Sequence, residues 1–407
     1  MTWAAYPQNT RNINWDADLD YLARELPAKH FNLFALKREA DWVSGLDKIR
    51  SEKESLTDFE IAVKVQQLIA AFGDSHTQIG MGAMVDMERI LPLQLYWYAD
   101  GLFIMGTTPQ NAAILGNRIV SVNATPLETV VDSLSTLITV DNQAMLMKSV
   151  PAYLCLSQLL GFFGFADSDR VELGLKDRDG NATTYVIEPA PLSELGNIVG
   201  VKADSVAFCN TNRNALFAEG YITRDKIYYL QYNRCWNREL ESQYGNKDKE
   251  GELPSFREFE DKVLRTLKSE PVDKIIFDMR YNGGGSSAQG TRFIEKLAAY
   301  LDGNPGIELY VVVGRDTFSS AILNAMDFKK LTRAILVGEQ TSGKPNHFGE
   351  VRGFRLPASG LNVGYSTKYF RNTEEDMDAL TPDVLIEAYF ASYTSGEDPV
   401  YQWISRQ

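Results

Sequence analysis

From Lys226 onward the chain alternates apolar, β-branched runs with helix-length segments, and this alternation leaves few folds open. KIYYLQY (226–232), DKIIFDM (273–279), IELYVVVG (307–314) and AILVG (334–338) read as strands; Phe256 to Ser269, Gln289 to Asp302 and Ser320 to Leu331 read as helices. Strands apolar on both sides must be covered on both faces, and parallel neighbours need a long crossover, which a helix supplies. The expectation is a largely parallel sheet between two layers of helix.

Two different patterns precede it. Asp16 to Leu26, Ala40 to Glu52 and Thr57 to Phe72 carry apolar residues at three- and four-residue spacings and read as helices, the last capped by Ser55 or Thr57 and ended by Gly73. From Ile90 to Pro191 short strand-like runs take over: LPLQLYWY, GLFIMGTT, NRIVSVN, and a hairpin of VELGLK and ATTYVI turned at Asp179-Gly180. A helix from Leu127 to Leu137 follows the Asn123 to Pro126 turn. The apolar tract from Leu154 to Ala166, broken by Ser157, Gln158 and two glycines, is too short to span a bilayer and reads as a buried helix. The division expected is a helical N-terminal segment (1–85), a β-rich module (90–195) and an α/β domain (200–407).

Composition removes several functions. With 54 acidic against 41 basic side chains the formal charge is −13, a surface that repels phosphate backbones and anionic lipid. The three cysteines, Cys155, Cys209 and Cys235, form no CxxC pair, and the three histidines, His30, His76 and His347, form no HExxH or HxH pair. No metal, disulfide framework or other cofactor is expected, and no membrane span. The opening MTWAAYPQNTRNINWDADLD lacks a basic start and an apolar stretch, so a cytoplasmic location is expected for the chain as given, and export if a leader has been removed.

Three turns follow strands of the α/β domain. Asp278 to Ser286 holds Gly283-Gly284-Gly285; with Ala288 it loosely fits GxGxxA, but Arg280 to Asn282 intervene and no acid ends the next strand at the dinucleotide spacing. Consecutive glycines expose backbone N–H groups, which suits an oxyanion hole. In Gly314 to Ala321 a serine stands where strand turns into helix, a place for a helix cap or for a nucleophile. Gly338 to Pro345 nearly matches GxxxxGK[ST], yet Pro345 replaces the Mg²⁺-binding hydroxyl and strand, not helix, follows. Lys344 there is a surface lysine or, in a dry cleft, a base. His76, in Phe72 to Thr77, follows a well-marked helix among polar neighbours and reads as structural or catalytic; His30 and His347 are weaker candidates.

DSHT, a β-rich insert, DMRYNGGG, TFSSA and GEQTSGK, in that order over residues 15–395, resemble the C-terminal processing (tail-specific) serine peptidases, relatives of the tricorn core protease and of the interphotoreceptor retinoid-binding repeats. The resemblance implies a multidomain α/β protein: a ClpP/crotonase-like catalytic domain, a helical N-terminal segment and an inserted PDZ-like module. It implies Ser319 as nucleophile, the Ser320 and Gly284 amides as oxyanion donors, and a general base that is Lys344, the closer local motif match, or His76. The module fits at Gly116 to Asn123 but has no Gly-Leu-Gly-Phe loop near Leu91 to Leu95, so it gates or buttresses the cleft. The function implied is hydrolysis of peptide or protein substrates by a serine-type endopeptidase, with oligomeric state left open. The alternative is an inactive member that binds a small apolar ligand or peptide.

Overall fold

The computed structural model describes residues 13–167 and 169–407; most of the stretch read for a leader lies outside them. A six-stranded sheet has the order Val384–Leu385, Ile335–Gly338, Glu308–Val313, Lys274–Asp278, Ile227–Tyr232, Phe217–Ile222, parallel throughout except at the last pair. Every residue of Ile227–Tyr232 is buried, as a strand covered on both faces requires. Side-chain alternation splits it between two cores. Tyr228, Leu230 and Tyr232 face helices Phe256–Ser269, Ser287–Asp302 and Ser320–Leu331 through Phe259, Phe293 and Phe328; Ile227 and Tyr229 face Val400 and Ile404 of the last helix, Pro399–Ser405.

The β-rich sheet runs Leu93–Tyr98, Gly101–Thr107, Arg118–Val122, Val171–Lys176, Ala182–Ile187, with the hairpin where the Asp-Gly turn placed it. Leu154 to Ala166 is not one helix. Gln143–Leu154 and Ser157–Phe162 are separate, because the chain turns at Cys155 and Leu156, where Leu91 N–H bonds the Cys155 carbonyl.

A three-stranded sheet was not anticipated. The hairpin His347–Arg355/Asn362–Phe370 lies within the α/β range of the sequence, but it pairs with Gln78–Ile79 just after the DSHT segment. Its Leu356, Leu361 and Val363 join Trp15, Leu22, Phe72 and the β-rich module in one continuous core. Helices and module are therefore welded together, and the hairpin ties them to the α/β domain. Among the described residues no helix is long and apolar enough to cross a membrane.

Candidate active site

All three turns singled out in the sequence follow parallel strands, so all three emerge at one edge of the sheet, at the carboxyl ends where open α/β sheets place their sites. Backbone hydrogen bonds lace them together: Phe318 N–H donates to the Asn282 carbonyl at 3.0 Å, and Glu339 N–H to the Val313 carbonyl at 3.1 Å. Thr317 Oγ1 donates to the Met279 carbonyl at 2.9 Å. Beneath the glycine turn Arg280 bridges two buried carboxylates, reaching Asp278 at 2.9 Å and Asp398 at 2.8 Å, while Tyr229 OH donates to Asp278 at 2.5 Å. Burial raises the Asp278 carboxyl despite Arg280; at Asp398 burial acts the same way, but Arg280 outweighs it and the carboxyl is lowered. Removing the cation would strand two buried negative charges. Arg280→Met is expected to lower unfolding free energy by about 3–5 kcal/mol, read as a fall in the denaturant midpoint.

Ser319 stands at the N-cap of helix Ser320–Leu331 with φ 53° and ψ −125°. That conformation suits glycine; a side chain there costs on the order of 1–3 kcal/mol. The surroundings impose it. Asn282 and Thr317 hold the loop before it. Arg315, paired with Glu339 at 2.8 Å and donating to the Trp97 carbonyl, clamps the loop to the β-rich module. Ser319 is half-buried and, among the described residues, its Oγ has no hydrogen-bond partner.

The glycine turn lies against it. A Cβ on Gly284 (φ 97°) would sit 2.9 Å from both the Phe318 carbonyl oxygen and Ser319 Cβ, and 3.2 Å from Ser320 N, so only glycine permits this approach. Of the two expected oxyanion donors, the Ser320 N–H has no acceptor among the described residues. The Gly284 N–H is not open, because it donates to Asn282 Oδ1 at 2.9 Å. Asn282 is fully buried and holds the site twice, through its side chain to Gly284 and through its carbonyl to Phe318; its place in NGGG was the available signal.

The two candidate bases stand in different surroundings. The His76 ring stacks on Phe318, the neighbour of Ser319, with centroids 4.6 Å apart, and the same ring stacks on His347 at 5.5 Å. Both His76 ring nitrogens are buried and, among the described residues, have no hydrogen-bond partner; Nδ1 lies 3.9 Å from Asp74 Oδ1. Burial pushes the imidazole down to about 4, against the pull of Asp74, with His347 and Lys148 adding to the fall. Asp74 shapes this segment by accepting from the His76 amide at 2.9 Å, from Thr77 Oγ1 at 2.5 Å and from His30 Nε2 at 2.9 Å. His30 Nδ1 accepts from the Asn32 amide, so Nε2 carries the proton that Asp74 receives. His347 donates from Nδ1 to the Lys344 carbonyl at 2.9 Å.

Lys344 Nζ lies 3.4 Å from Asp378 and 3.9 Å from Asp141, with 36% of the side chain exposed. A lysine base needs a dry site free of carboxylates, and these surroundings are neither. Lys344 lines a cavity of about 320 Å³ with Ser75, Asp141, His347 and Phe348. Its loop runs into a strand, His347–Arg355, so no helix N-terminus awaits a phosphate. Sequence reasoning missed Lys148, on helix Gln143–Leu154, whose Nζ sits 4.8 Å above the Phe318 ring. No motif marks it.

No protein-family model matches the chain, and no curated protein matches it by sequence. Solved structures do. The chain is similar to mature CPAF complexed with lactacystin, at a TM-score of 0.62 and 12% identity over 96% of both chains. It is similar to mature CPAF by itself at 0.57 and 13%, over 96% of this chain and 95% of that one. The photosystem II D1 C-terminal processing protease follows at 0.42 and 14%, over 95% and 98%. At these identities the CPAF likenesses establish a shared multidomain α/β fold.

Proposed function

We propose that this chain is a serine peptidase of the C-terminal processing type, with Ser319 as nucleophile and His76 as general base. The observation that carries the proposal is the strained Ser319: a side chain held where glycine belongs, at a helix N-terminus, has a chemical use that repays its cost. The motif order and the fold shared with CPAF support the same reading. The α/β domain is then the ClpP/crotonase-like catalytic unit and the β-rich module a PDZ-like buttress, joined to the nucleophile loop through Arg315.

Ser319 Oγ attacks the substrate carbonyl as its proton passes to His76, whose Nδ1 is turned toward Asp74 and whose Nε2 is left for the serine. The oxyanion is held by the Ser320 amide. Gly284 supplies the second donor once the developing charge, a stronger acceptor than a neutral amide oxygen, displaces Asn282 Oδ1. His76 then returns the proton to the leaving amine as the C–N bond breaks, and water releases the acyl group by the same route. A fluorophosphonate probe should modify the protein, with the adduct on the peptide containing Ser319; an unlabelled or differently labelled protein overturns the proposal.

The pH profile tests the base separately. A base works only unprotonated, and His76 is depressed from 6.5 to about 4. The acid limb of kcat/KM should therefore fall near pH 4, well below that of an ordinary histidine. A lysine base would place it near pH 7–8. Stability should follow the same group. Between pH 6.5 and 4 the unfolded chain takes up a proton that folded His76 refuses, so the melting temperature should fall as pH drops through that window.

A further inference from the structure

Phe318 carries two groups against its ring: His76, and the ammonium of Lys148, 4.8 Å from the centroid. Lys148 comes from helix Gln143–Leu154 in the middle of the β-rich region, so a separate part of the chain delivers a cation beside the nucleophile. Its three N–H donors have one acceptor among the described residues, Ser342 Oγ at a long 3.4 Å. Asp316 acts on it through space but forms no ion pair with it. Three other cations around the edge are matched: Arg280 by Asp278 and Asp398, Arg315 by Glu339, Lys344 by Asp378 and Asp141; a fourth, Arg213, lies over the Tyr281 and Tyr96 rings. A half-buried ammonium without a counter-charge is costly unless something that arrives later pairs with it.

We infer that Lys148 receives a carboxylate of the substrate close to the scissile bond. The inference rests on the peptidase reading for the word substrate, but the binding itself needs only the geometry. The ammonium, steadied from behind by the buried Ser342 hydroxyl, offers its donors to a planar anion, and the Phe318 face closes one side of the position, excluding water and strengthening the pair. An acidic side chain and a chain-terminal carboxylate present the same chemistry, and both could fill it.

The experiment uses Ser319→Ala protein, which binds without turnover, and fluorescent peptides measured by anisotropy. One series places Glu against Gln at successive positions; the other compares free-acid with amidated C-termini. Binding should favour the carboxylate member in one series by about ten- to hundredfold, the range for a hydrogen-bonded charge pair. The series that responds identifies the source. Adding Lys148→Met should erase the preference, and Lys148→Arg should keep most of it. Equal binding of all matched pairs overturns the inference, as does a preference that survives Lys148→Met. The comparison on the Lys148-intact protein stands by itself if Lys148→Met does not fold. If fluorophosphonate fails to label wild-type protein while the carboxylate preference persists, the peptidase reading falls and this binding site remains.

Discussion

Ser319→Ala is expected to abolish fluorophosphonate labelling and to reduce peptide hydrolysis by about five to six orders of magnitude, the scale on which serine peptidases lose turnover without their nucleophile. The distinguishing result lies in stability. Alanine keeps a Cβ at φ 53° and ψ −125° and so keeps the strain. Ser319→Gly removes it and should be more stable than Ser319→Ala by about 1–3 kcal/mol in denaturant unfolding, although glycine's extra freedom in the unfolded chain trims the gain. Both variants should be equally inactive. A protein more stable without its serine side chain holds that side chain for chemistry rather than for folding. If Ser319→Ala kept full activity, or if Ser319→Gly were the less stable variant, the assignment would fail.

His76→Ala should cost four orders of magnitude or more in acylation rate, whereas Lys344→Ala should cost no more than about tenfold. His76 stacks on Phe318, the residue before Ser319, and burial pushes its imidazole down, so that it stays neutral well below the usual histidine range. Lys344 is engaged by Asp378 and Asp141 at the wall of a cavity, and its loss should be felt in KM more than in kcat. Asp141, which burial pushes up to about 6, lies 3.9 Å from Lys344, so the KM effect should depend on pH around that value. Measuring single-turnover acylation with the same probe separates the two variants. Loss of acylation in Lys344→Ala with retention in His76→Ala would reverse the roles and restore the closer motif match as the base.

Local patterns carried much of this architecture. Helices Phe256–Ser269 and Ser320–Leu331 have the bounds their periodicity implied, and the hairpin Val171–Lys176/Ala182–Ile187 turns where Asp179-Gly180 required. Each depends on hydrogen bonds and side-chain spacing among near neighbours, which a single sequence displays. The tract from Leu154 to Ala166 misled for the same reason: hydrophobicity records burial, and a half-buried turn between helices can be as apolar as the helices themselves. The pairing of Gln78–Ile79 with Asn362–Phe370 left no trace, because backbone bonds between strands nearly three hundred residues apart place no demand on local composition.

The site divides along the same line. The alternation of strand and helix after Lys226, by itself, required the three turns to share one edge of a parallel sheet, and thereby brought Ser319, Ser320 and Gly284 together; chain topology dictates that outcome whatever the loops contain. Only the tertiary structure decided what surrounds them. The hairpin stacked His347 on His76 and the loop before Ser320 stacked Phe318 on it, two carboxylates drew Lys344 aside, Asn282 took up the Gly284 amide, and the β-rich region delivered Lys148. Those contacts depend on distances between segments remote in the chain. Protonation and strain follow from such distances, and residue order does not encode them in any short stretch.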